Sequence, residues 1–107
     1  QREAPEINKL YGKMRSSGRA KERAKIIGIG VGNSAFEVDL FRKSYNIEFP
    51  LFPDEEFAVH KKIGSLRTPT FIGVKNQGGK SKVVHFHVGG IGDAEEFLKS
   101  ILDEAGL

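Results

Sequence analysis

Between Gly64 and Val74 the chain reads Gly-Ser-Leu-Arg-Thr-Pro-Thr-Phe-Ile-Gly-Val, and this stretch limits the fold more than any other. Gly64 closes a helix-like run. Thr68 is biased towards extended backbone because it precedes Pro69. Pro69 has no amide hydrogen for a sheet ladder, so it belongs at or just before the first position of a strand. A β-branched apolar run then opens at once. The stretch specifies a rigid lead-in to a buried strand. Its plain reading is a loop proline that sets chain direction, although rigid X-Pro segments are also where cis bonds occur.

The flanking elements follow from periodicity and caps. Ile7, Leu10, Tyr11 and Met14 recur at helical spacing over residues 3–16, with Pro5 in a tolerated first-turn position. Ile26 to Val31 is a short continuous apolar run, suited to a strand covered on both faces. Ser34 and Glu37 form an S-x-x-E capping box ahead of Val38, Leu40, Phe41 and Tyr45, and Asn46 is a left-handed stop. Phe49 to Pro53 is too proline-rich for an interior strand and reads as an edge strand or an extended connection. Asp54, Glu55 and Glu56 then begin a helix that turns Val59 and Ile63 inward. Thr70 to Lys75 and Lys82 to Val88 make an antiparallel hairpin across a turn at residues 76–79. Asp93 and Glu96 form a second capping box, ahead of a helix over residues 94–105. The order is that of an α/β layered domain with a mixed sheet, one domain for 107 residues.

Composition narrows the chemistry. There is no cysteine, which excludes a disulfide, a thiol nucleophile and a thiolate zinc site within these residues. Apolar runs of five or six residues, interrupted by glycine, exclude a membrane-spanning helix. Net charge is +3, and six basic residues fall between Lys13 and Lys25 against Glu22 alone. No aromatic side chains interleave with them to stack on bases, so they read as a solvated helix end and loop, with no nucleic-acid partner.

Three constellations admit a chemical and a plain reading. Gly30-Val31-Gly32-Asn33-Ser34-Ala35 matches G-x-G-x-x-A, with Glu48 downstream, in the outline of a dinucleotide fingerprint. It follows a helix, however, and Glu48 runs straight into Phe49-Pro50, so nucleotide binding is set aside. His85 and His87 share one strand face and could chelate a metal, but no third ligand converges with them. A solvated or helix-covered face explains them, and no metal is expected. Asp54, Glu55 and Glu56 point in different directions on a helix and read as dipole stabilisation, not as an acid/base pair.

Taken together, Arg2 to Tyr11, Ile26 to Ser34, Tyr45 to Pro50 with Asp54 and Gly64, Thr68 to Phe71, the hairpin, Gly89-Gly90 and the last helix resemble the thioredoxin-fold superfamily. The likeness is nearest to the TlpA/ResA-like thiol–disulfide oxidoreductases and the AhpC/TSA peroxiredoxins. It implies a mixed sheet flanked by helices and a cis bond between Thr68 and Pro69. It also implies a substrate-binding role for Thr68 and Pro69, whose backbone in the family pairs with a peptide carrying the thiol or disulfide. The family's first core strand and its C-x-x-C would precede Gln1, so the resemblance implies an N-terminally truncated, redox-inactive piece with no catalytic residue of its own. A non-catalytic peptide-binding module is the alternative from another class. No cofactor is implied. Strands left without their central neighbour, Ile26–Val31 and Thr70–Lys75, would pair directly or recruit a second copy in a homodimer. The branch hints at an extracytoplasmic bacterial setting, with no leader in these residues.

Overall fold

A computed structural model describes residues 3–20, 23–65 and 67–107; Gln1, Arg2, Lys21, Glu22 and Leu66 lie outside the described residues. Readings that rest on Arg2, Lys21, Glu22 or Leu66 are therefore not addressed by it. In order, the elements are α1 (Ala4–Ser16), β1 (Gly28–Val31), α2 (Ala35–Tyr45), β2 (Leu51–Asp54), α3 (Ala58–Lys62), β3 (Thr70–Gln77), β4 (Lys80–Val88) and α4 (Ala94–Ala105). They fall into two units, Lys25–Leu66 and the combination of Gln1–Ala24 with Arg67–Leu107.

In the unit 25–66, β1 and β2 pair in parallel, from Gly28 opposite Leu51 to Val31 opposite Asp54. The helix that joins them, α2, is set at both ends by local chemistry. Ser34 Oγ accepts the Glu37 amide at 3.2 Å, and the Glu37 carboxylate accepts the Ser34 amide at 2.9 Å. Asn46, at φ 53°, ends the helix in the left-handed region. Val38 is buried, and a Cβ on Gly30 would stand 2.9 Å from its Cγ2, so α2 packs close to β1 only because position 30 has no side chain. Ile47 and Phe49 are also buried.

Two expectations for this unit are corrected. β1 begins at Gly28, and Ile27 is exposed outside it. Asp54 ends β2 instead of opening a helix. Its main-chain carbonyl accepts the Gly32 and Phe57 amides at 2.9 and 3.0 Å, and its buried carboxylate accepts those of Val59 and His60. The chain turns through Glu55 and Glu56, and α3 starts only at Ala58 with five residues. So short a helix buries no side chain, and Val59 and Ile63 are exposed, not inward. The acid at position 54 serves helix amides as the charge pattern suggested, but from the end of a strand.

In the other unit, β3 and β4 form the expected antiparallel hairpin, joined by Gly78 and Gly79. Both glycines have positive φ, which a two-residue hairpin turn of matching twist needs. The register passes from Gly73 opposite His85 to Val74 opposite Val83, so Val84 is an extra residue in β4. α4 packs on β4 and α1 packs on α4, with Ala4, Leu10, Ala94, Phe97, Leu98 and Leu102 buried. Each leucine so placed contributes about 1.5–3 kcal/mol relative to an exposed one. Asp93 caps α4 by accepting the Glu96 amide at 3.0 Å. Only this half of the anticipated capping box is present. Two carboxylates at one helix end repel, and this opposes the reciprocal contact.

Three residues of the basic run between Lys13 and Lys25 have partners in the structure. Lys13 meets Glu95 at 3.3 Å, the Arg15 guanidinium lies over the Tyr11 ring, and Arg19 binds Asp103 at 2.8 Å and the Leu107 carbonyl. Such exposed pairs contribute about 0–1 kcal/mol each.

Among the described residues, the mixed pairing anticipated from the sequence is found as two two-stranded sheets, one in each unit. Parallel and antiparallel pairing both occur, but β1 pairs with β2 and β3 with β4 in separate two-stranded sheets. The hairpin satisfies β3 from its sequence neighbour, and the α2 crossover satisfies β1 from β2, leaving each with one partnered edge.

Candidate functional site

The lead-in to β3 is held shut on one side. The Pro69 carbonyl accepts the Gly89 amide at 2.8 Å, one step beyond the last register pair, Thr70 opposite Val88. Thr70 Oγ1 donates to the Arg67 carbonyl. The Thr68–Pro69 peptide bond is cis. Pro69 and Thr70 are half-buried, whereas Thr68 is exposed and its main chain makes no hydrogen bond to a described residue. Thr68 and Pro69, singled out from the sequence, thus stand at the mouth of the hairpin with one main-chain edge exposed.

The opposite lip is Gly89-Gly90. Gly89, at φ +102°, turns the chain away from β4. His87 Nε2 lies 2.7 Å from the Gly90 carbonyl and donates to it. Glu3, the N-cap residue of α1, presses its carboxylate against Gly90, where a Cβ would stand 2.9 Å from Oε2. Glu3 Oε1 is buried and meets no donor among the described residues. A carboxylate oxygen so placed can accept a hydrogen bond. Sequence reading did not single out Glu3: a carboxylate in a helix's first turn is ordinary, and only the tertiary approach of Gly90 removes it from water.

His85 and His87 line the covered face of β4. Phe97 on α4 meets both imidazoles edge-on, with centroids 5.3 and 5.6 Å away, and meets Phe71 at 5.5 Å. His85 Nδ1 is hydrogen-bonded to Glu104, and its Nε2 is buried without a partner. Gly73 makes room for it, since a Cβ there would approach the His85 Cβ to 3.0 Å. A cavity of about 300 Å³ lies between β4 and α4, lined by His85, His87, Asp93, Glu96 and Ser100 among others. Among the described residues no group of three or more His, Cys, Asp or Glu side chains could hold a metal ion.

The G-x-G-x-x-A turn has the strand–turn–helix form of a phosphate loop but not its vacancy for an anion. Glu37 already lies against the first amides of α2. The Ser34 amide holds its carboxyl below the ordinary value against the opposing effect of burial, with the Ser34 and Asn33 side chains assisting. Phe57 covers Gly32, and a Cβ there would come within 2.7 Å of its ring. A phosphate at this helix end would meet a carboxylate and a phenyl ring. Glu48 is exposed.

The elements in order, a parallel βαβ segment, an antiparallel hairpin opened by a proline and a terminal helix, are compatible with a thioredoxin-like fold. The chain is 30% identical to the thiol-disulfide oxidoreductase ResA of Halalkalibacterium halodurans over 107 residues, which take in 98% of this chain and 56% of that protein. The chain thus spans little more than half the length of the curated relative it matches. No family model matches it. No described helix is long and apolar enough to cross a membrane.

Proposed function

We propose that this chain is the C-terminal part of a single thioredoxin-like domain in a TlpA/ResA-like thiol–disulfide oxidoreductase, whose reactive cysteines lie in residues preceding Gln1. One observation carries the reading: similarity to a thiol-disulfide oxidoreductase runs along 98% of a chain that has no cysteine, yet covers 56% of the relative. An upstream segment with a cysteine motif would supply the thiolate. The thiolate would attack a substrate disulfide to give a mixed disulfide, which a second cysteine would resolve.

In this reading Thr68 and Pro69 bind the protein or peptide substrate. The exposed main chain of Thr68 offers hydrogen bonds to an extended segment by strand addition, a mode that makes little demand on side-chain sequence. The chain alone is redox-inactive.

The test is the coding sequence upstream of Gln1, followed by insulin-disulfide reduction with the longer protein and with this chain. A C-x-x-C and turnover by the longer protein only are expected. Turnover by the cysteine-free chain would overturn the account. A single upstream cysteine with hydroperoxide turnover would move the protein to the AhpC/TSA peroxiredoxins, and no cysteine would make it a peptide-binding module.

A further inference from the structure

We draw no further inference here: the strongest candidate, the uncovered apolar face of the β3–β4 hairpin formed by Ile72, Val74, Val83, Phe86 and Val88, carries none because nothing in the structure shows what covers it.

Discussion

His85 on β4 is tied through Nδ1 to Glu104 on α4, and two residues along the strand His87 is tied through Nε2 to the Gly90 carbonyl. Each partner is an acceptor, so each bonded nitrogen carries the proton. The two imidazoles, though they share one strand face, hold opposite tautomers when neutral. Long-range ¹H–¹⁵N correlation spectra are expected to report an Nδ1–H form for His85 and an Nε2–H form for His87. The same tautomer at both positions would contradict the packing of α4 on β4.

The α2 capping box is a local feature with a local energy. Ser34→Ala removes the acceptor of the Glu37 amide and is expected to cost about 0.5–2 kcal/mol. Urea unfolding followed by far-UV circular dichroism measures the loss. An unchanged midpoint would mean that the hydroxyl supplies no net stability to α2.

Gly32 is constrained twice, by φ +72° and by the Phe57 ring. Gly32→Ala is expected to destabilise the unit 25–66 by about 1–2 kcal/mol from backbone strain alone, with a further loss from the ring contact. Phe57→Ala introduced beside it relieves only the second part. If the double variant regains full stability, the backbone strain is absent.

Asp54 and Glu37 both carry lowered carboxyl pKa values in the unit 25–66, and Asp54 is the buried one. Burial raises its pKa, but the His60, Val59 and Ala58 amides and the charge of His60 together lower it below the ordinary 3.8. A depressed folded-state pKa means stability that is present above the unfolded value and lost as pH falls through the folded one. Unfolding midpoints measured downward from pH 5 should therefore decline around and below pH 3.8. Asp54→Asn should be less stable at pH 7 and should flatten that decline, because an amide NH₂ faces a backbone donor. An undiminished slope in the variant would assign the acid sensitivity elsewhere.

Thr68 supplies the direct test of the groove. Its amide is expected to exchange rapidly with solvent in the free, cysteine-containing protein and to become protected when an extended substrate peptide is trapped as a mixed disulfide. The Gly89 amide, already bonded to Pro69, should change little. Unchanged exchange at Thr68 in the trapped complex would remove it from the binding site.

Core and surface should separate sharply. Leu102, 3% exposed, is expected to lose about 2–5 kcal/mol on substitution by alanine, whereas Phe36, 76% exposed, should change stability by about 0.5 kcal/mol or less. Denaturant midpoints of the two variants decide it, and a large loss at Phe36 would show that its ring has a packing partner.

The features legible in the sequence were those set by residues within a few positions of one another. Ser34 with Glu37, Asn46, the Gly78-Gly79 turn and the α4 stripe each complete a hydrogen bond, a backbone conformation or a face within about two helical turns. The proline ahead of β3 belongs with them, because its ring restricts the residue just before it and its missing amide is its own. Tertiary structure decided what required a distant partner. β4 has apolar or aromatic residues on both faces, so alternation could not choose between them; α4 chose, by setting Phe97 against His85 and His87 and leaving Phe86 exposed. Asp54 changed from the first residue of a helix to the last of a strand because its main-chain carbonyl accepts the Gly32 amide just beyond β1 while its carboxylate accepts the Val59 and His60 amides of α3. One carboxylate oxygen of Glu3 is buried against Gly90, far along the chain. Caps and turns are satisfied by their neighbours; strand partners, covered faces and buried charges are assigned by whichever segment arrives to exclude water.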